Sequence, residues 1–225
     1  MIKIPAQFDY KFNEVLSYLC LYNSEIVKFT SIVNQELMFN QTKTELRRLL
    51  IKQRRSLSEK DWKEKSDRIC QNLTNNPLFQ QSKTILSYFS FRQEPDLSLL
   101  LSNTPKRWGF PRCVEQSLTW HSWQPGDADE TNRYGIIEPD ANLPLLNSSE
   151  IDLILVPSVA CDYQGYRLGY GGGFYDRMLS LPEWNLIPTV GITFDFAYLI
   201  SLPIDSWDKP LNAVCTESQF IIGNR

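Results

Sequence analysis

The strongest constraint on this chain is the run Asp152-Leu-Ile-Leu-Val-Pro157, in which every position from 153 to 156 is apolar. As a strand it presents apolar side chains to both faces of its sheet, so it needs cover on both sides. Short β-like runs also stand at 84–89, 96–101, 108–113, 117–120 and 189–194, with helical patterns between several of them. Near-continuous apolar strands alternating with helices predict an α/β fold, an open and mostly parallel sheet with helices on both faces.

Two helices are expected ahead of the first strand. Thr42-Lys43-Thr44-Glu45 spells a capping box, and Leu46, Leu49 and Leu50 then form one apolar face. Ser58-Glu59-Lys60-Asp61 opens the second, followed by Trp62, Ser66, Ile69 and Leu73 at helical spacing. A length of 225 residues favours one large domain with an appendage. The expected division is an N-terminal extension over 1–41, with at most a short helix around 12–22, and a single α/β domain over 42–225. Met38 lies just ahead of the capping box, so a natural start there is expected, and mass spectrometry of the native N-terminus tests it. The Pro- and Asp-rich stretch 124–144 reads as a long connection, and no internal repeat is visible.

Composition removes several functions. With 23 Lys or Arg against 26 Asp or Glu there is no global positive field for nucleic acid or an anionic membrane. No apolar run approaches the roughly 18 residues of a membrane span, so no membrane partner is expected. Five scattered cysteines without a Cys-x-x-Cys pair argue against a zinc or dithiol site and fit a reducing, cytoplasmic setting. The single histidine, His121, excludes multi-histidine metal sites, and its place between Trp120 and Trp123 reads as structural.

The segment that carries chemistry follows the run at 152–157. Five glycines fall between Gly165 and Gly173, just before a helix expected near 174–181. Bare backbone there is free to curl its N–H groups around an anion. Arg167 is suited to bidentate bonds with phosphate oxygens, and Asp176 to a phosphate-bridging Mg2+. The loop is neither a Walker A motif nor a dinucleotide fingerprint, because Phe174 stands where a third glycine is needed. On glycine content alone, a tight structural turn is an equally good reading.

The string Arg167-Leu-Gly-x-Gly-x-Gly-Phe-Tyr-Asp176, after Val156-Pro157 and Asp162, resembles the signature of the 5-formyltetrahydrofolate cyclo-ligase family. The resemblance continues in order through Lys43 and Arg47, Ser66 and Ile69, a strand running into Glu94, Pro111-Arg112, Tyr134-Gly135-Ile136 with Glu138-Pro139, and Asp208. It covers about 43–220. The chain departs from the pattern at Ser158, Cys161 and Asn212.

The resemblance implies an ATP- and Mg2+-dependent conversion of 5-formyltetrahydrofolate to 5,10-methenyltetrahydrofolate. It implies that Lys43 and Arg47 bind ATP together with Leu168, Gly169, Tyr170, Gly171, Gly172, Gly173, Phe174 and Tyr175. Arg167 would join them and act as the catalytic group on the transferring phosphate. Phe89, Glu94, Tyr134 and Tyr170 would bind the folate, and Asp176 and Asp208 the metal. Beside each role stands a plainer reading: a solvated basic face at 43–68, a helix start at Glu94-Pro95-Asp96, a loop anchor at Tyr134, a surface carboxylate at Asp208. The expected assembly state is a monomer. Two alternatives remain open from sequence, a phosphotransferase with another acceptor and a nucleic-acid module built on the basic helices.

Overall fold

The computed structural model describes residues 41–223; the expected helix around 12–22 and the start at Met38 lie outside the described residues. α1 (Lys43–Arg55) begins at the capping box, with the Thr42 side chain accepting from the Glu45 N–H and the Glu45 carboxylate accepting from the Thr42 N–H at 2.9 Å. α2 (Glu59–Thr74) begins where the Ser58 hydroxyl accepts the Asp61 N–H at 3.0 Å, and it buries Ser66, Ile69 and Leu73. A third, one-turn helix, α3 (Pro77–Gln81), was not among the expected elements. Asn76 caps it and Pro77 occupies its first position.

The chain continues through β1 (Thr84–Leu86), α4 (Ser98–Asn103), β2 (Arg107–Val114), β3 (Ser117–Ser122) and the hairpin β4 (Asp129–Thr131) and β5 (Ile137–Pro139). Its second half holds β6 (Leu153–Pro157), β7 (Ala160–Asp162), β8 (Arg167–Leu168), α5 (Phe174–Leu179), β9 (Thr189–Ile192), β10 (Tyr198–Leu199), β11 (Ala213–Cys215) and β12 (Phe220–Ile222). The main sheet runs β12-β11-β9-β6-β1-β2-β3. Neighbours from β11 to β2 are parallel, and only the two outermost pairs are antiparallel.

β6, the run that constrained the fold, is the middle strand. Leu153 and Leu155 join one apolar cluster and Ile154 and Val156 the other, so the two clusters lie on opposite faces of the sheet. Ile69, Leu73, Phe79 and Leu100 from α2, α3 and α4 complete the first, and Met178 and Leu179 from α5 join the second. Each such side chain contributes about 1.5–3 kcal/mol on full burial. At the entry to the sheet, Asp152 Oδ2 accepts the N–H groups of Lys83 and Thr84 at 2.7 and 2.8 Å, pinning the start of β1 beside β6.

Several expected boundaries move. The β-like run at 96–101 is instead the start of α4: Asp96 accepts the Ser98 N–H at 3.0 Å and its hydroxyl at 2.9 Å, a turn that launches a helix. Leu97 and Leu100 are buried while Leu99 is exposed, a spacing of three rather than two. The strand at 84–89 stops at Leu86, so Glu94 is in a loop beyond β1 rather than at a strand end. The strand at 189–194 ends at Ile192, and the connection at 124–144 carries the β4–β5 hairpin. His121 is buried, with one ring nitrogen 2.8 Å from the Leu143 carbonyl.

A small sheet in the order β10-β7-β8 sets the glycine loop in place. Asp162 accepts the N–H groups of Gln164 and Tyr166 through one oxygen and that of Leu202 through the other, at 2.9–3.0 Å. Gly165 has φ +86°, and a Cβ there would stand 2.7 Å from the Leu211 carbonyl oxygen, so the turn from β7 to β8 requires glycine. The three departures from the family pattern are packed away from this loop's tip. A Cβ at Gly191 would lie 2.8 Å from Cys161 Sγ and 3.6 Å from Ser158 Oγ, and Asn212 Oδ1 accepts the Thr189 N–H at 2.9 Å.

Candidate active site

Beyond the ends of β1 and β6 the loops enclose a cavity of about 930 Å3. This is where an open α/β sheet offers a crevice. Pro157 closes β6 against it, and Tyr88 and Phe89 follow β1 into its wall. The structure brings every sequence-predicted site residue to this cavity: Lys43 and Arg47 from α1, Phe89 and Glu94 after β1, Tyr134 from the hairpin, the loop from Arg167 to Asp176, and Asp208.

One end is cationic. Arg167 is buried on β8, and its Nη2 donates to both carboxylate oxygens of Asp176 at 3.1 Å. Its guanidinium carbon lies 5.2 Å from the Tyr175 ring centroid. Arg167 Nε and the Tyr175 hydroxyl are buried without a hydrogen-bond partner, which leaves donors ready for an acceptor brought by a ligand. A Cβ at Gly169 would stand 2.6 Å from Arg167 Nη1, so a side chain there would require the guanidinium to shift. Arg47 Nε donates to the Gly169 carbonyl at 2.7 Å, fastening α1 to the loop. Gly171 and Gly173 take φ +102° and +68°, and no side chain caps the first turn of α5.

Lys43 Nζ donates to Asp205 Oδ2 at 2.6 Å and to the Asp208 carboxylate, and the Asp205 N–H donates to Asp208 Oδ2 at 2.7 Å. Burial opposes the Lys43 charge, but its bonds to Asp205 and Asp208 prevail and hold its pKa above the ordinary lysine value. Among the described residues no three His, Cys, Asp or Glu side chains gather as a metal cage. Asp176 faces the cavity beside Arg167, and Asp208 faces it beside Asp205 and their shared Lys43. One or two carboxylates completed by substrate phosphates and water is a donor set that fits Mg2+.

The rest of the wall is largely apolar and includes the buried carboxylates of Glu94 and Glu138. Glu94 is 3% exposed and follows Arg92 and Gln93, both left-handed at φ +49° and +57°. Its Oε2 accepts the Phe91 N–H at 3.1 Å, while Trp62 Nε1 and Ser90 Oγ both donate to its backbone carbonyl at 2.8 Å. Burial pushes the Glu94 carboxyl up to about 7, against the opposing pull of Arg54, the Phe91 N–H and the Tyr170 hydroxyl. Phe89 stacks on Phe110 with centroids 4.2 Å apart and meets Trp123 edge-on at 5.0 Å, giving a rigid apolar wall. Tyr134 is half-exposed at the hairpin turn, with the Arg133 guanidinium 4.8 Å from its ring.

Sequence reading missed Asp205 and Arg54, and it named Glu138 within the family-like pattern without giving it a role. Asp205 lies three residues before Asp208 and shares Lys43 with it, a pairing with no local signal in the sequence. Glu138, buried on β5, accepts the Cys113 N–H and Asn132 Nδ2 at 2.7 Å and so locks the hairpin to β2. Arg54 follows Arg47 by seven residues, hence on the same side of α1. Taken together, the cavity suits a ligand pair with a polyanionic part at the cationic end and a planar ring bearing N–H donors at the apolar end.

Residues 39–217 match the model of the 5-formyltetrahydrofolate cyclo-ligase family. Over 184 residues the chain is 31% identical to a 5-formyltetrahydrofolate cyclo-ligase of Haemophilus influenzae, spanning 76% of this chain and 93% of that one. It is likewise 31% identical over 180 residues to the Escherichia coli protein of the same name, spanning 76% of this chain and 98% of that one. The solved structure of Aquifex aeolicus 5,10-methenyltetrahydrofolate synthetase aligns with a TM-score of 0.72 at 30% identity, covering 81% of this chain and 93% of that one. The chain belongs to the 5-formyltetrahydrofolate cyclo-ligase family of enzymes.

Proposed function

We propose that the protein converts 5-formyltetrahydrofolate to 5,10-methenyltetrahydrofolate using ATP and Mg2+, with release of ADP and phosphate. The formyl oxygen is a poor leaving group. It first attacks the γ-phosphorus of ATP, the bond to ADP breaks, and an imidate-like phosphate forms. N10 then attacks the activated carbon and loses its proton, and the carbon–oxygen bond breaks as the ring closes and phosphate leaves. Such chemistry asks for positioning and charge neutralisation more than for protein acids or bases.

In this reading Arg167 contacts the transferring phosphate as the catalytic group, oriented by Asp176 and free to donate through Nε. Lys43, Arg47 and the backbone from Leu168 to Tyr175 bind the ATP phosphates. Asp176 and Asp208 hold Mg2+, which when bound neutralises phosphate charge. Glu94 accepts from the N–H and amino groups of the pterin, Phe89 forms its apolar wall, Tyr134 stacks on the ring, and Tyr170 lies between the two ligands. The protein acts as a monomer in the cytoplasm. Free Cys70, Cys113, Cys161 and Cys215 among the described residues fit the reducing compartment.

The observation that carries the reading is a single cavity with a buried arginine donor beside bare glycine backbone at one end and a buried carboxylate at the other. Incubation with 5-formyltetrahydrofolate and MgATP should produce the near-ultraviolet absorbance of the methenyl product, dependent on both ATP and Mg2+. A folded protein that binds ATP but forms no such product would instead be a phosphotransferase with another acceptor.

A further inference from the structure

Arg54 is 3% exposed, yet none of the ion pairs among the described residues involves it. A guanidinium in that setting is costly unless its donors are used. Its Nε donates to the Arg92 carbonyl at 3.0 Å, and its Nη2 to the Tyr170 hydroxyl and, at 3.5 Å, to the Phe91 carbonyl. Its guanidinium carbon lies 5.6 Å from the Tyr170 ring centroid, and Nη1 has no partner. These contacts join three segments: α1, the left-handed turn from which Glu94 issues, and the tyrosine of the glycine loop.

We infer that Arg54 is a positioning residue that holds the glycine loop and the turn presenting Glu94 at one fixed separation, so that the folate carboxylate partner and the phosphate loop act on the same substrate pair. The inference rests on the folate role proposed above for Glu94. The guanidinium also faces the Glu94 carboxylate and offsets part of its burial. The other groups facing that carboxylate are the Phe91 N–H and the hydroxyls of Tyr88, Tyr170 and Tyr175. Burial raises all three phenols, that of Tyr170 to about 12, so an acidic limb near neutrality belongs to Glu94.

The test is steady-state kinetics of Arg54→Gln and Arg54→Lys, alone and with Glu94→Gln, across the pH range around neutrality, with thermal unfolding as the folding control. Arg54→Gln should raise KM for 5-formyltetrahydrofolate about tenfold or more, the cost of losing charge-assisted bonds. It should also move the acidic limb to higher pH and change kcat less than KM. Its effect should vanish in the Glu94→Gln background, where there is no carboxylate left to position. Arg54→Lys keeps the charge but cannot bridge Tyr170 to both carbonyls, so KM should rise with the limb unmoved. Folded single variants with wild-type KM and pH profile overturn the inference, as does an undiminished effect in the double variant. If neither single variant folds, Arg54 serves folding alone and the inference fails. Absence of product from the wild-type chain would overturn the functional reading, and this inference with it.

Discussion

Glu94 and Arg167 are both buried ionisable side chains, and only Arg167 sits in an ion pair. Arg167 has Asp176 as partner, while burial raises Glu94 from 4.5 to about 7. Between those values the folded chain holds a proton that the unfolded chain has released, so stability falls as pH rises through that window and stays lower above it. Glu94→Gln removes this dependence. Urea unfolding at about pH 5 and about pH 8 should show the wild type losing on the order of 3 kcal/mol relative to the variant. A constant difference between the two would mean that burial of this carboxyl has no energetic consequence. In the proposed reading the ionised Glu94 binds the pterin, so KM for the folate should rise as pH falls below about 7. In the proposed mechanism Arg167→Ala and Asp176→Asn should each lower kcat by about 100-fold or more in protein that still folds, with Asp176→Asn also lowering Tm because it leaves the buried guanidinium without its charge partner. Near-normal turnover in either variant would remove that residue from the proposed site.

At the scale of elements, the cavity depends on α1 and the glycine loop meeting correctly. α1 begins at a reciprocal cap one residue before Lys43, so Thr42→Ala should cost about 1 kcal/mol in unfolding experiments and raise KM for ATP by loosening Lys43. Gly169→Ala should leave the sheet intact and depress kcat, because the new methyl would occupy the space of Arg167 Nη1. A variant with full activity would show that the guanidinium can relocate without loss. Helix starts were legible in sequence because a cap is a contact over three residues. The start of α4 was only half legible, as a helix start at Glu94-Pro95-Asp96 competing with a β-like run at 96–101, since that stretch combines a turn-forming carboxylate with leucines that suit either period. The hairpin was hidden for another reason: β4 is exposed along its length and carries no alternating pattern.

At the scale of the whole molecule, stability rests on a parallel sheet covered on both sides. Leu155→Ala, at a fully buried position of the central strand, should cost about 3 kcal/mol and lower Tm by about 6–12 °C. A much smaller change in calorimetry would mean that the neighbouring helices close over the gap. The apolar run at 152–157 was enough to predict a strand buried on both faces, because covering it requires helices on each side. The order of motifs likewise allowed the residues proposed for ATP, metal and folate to be named before the fold was known, but not Asp205 or Arg54. Tertiary structure alone decided how those residues meet. Lys43 is joined to Asp208 across 165 positions, Arg54 to Tyr170 across 116, and the Glu94 charge is eased by Arg54 of α1 and Tyr170 of the glycine loop. Local periodicity and capping act over a few residues, and so a sequence expresses them directly. Pairings at such separations depend on strand order and on which loops the sheet brings to the same edge, and these arise only when the chain closes on itself.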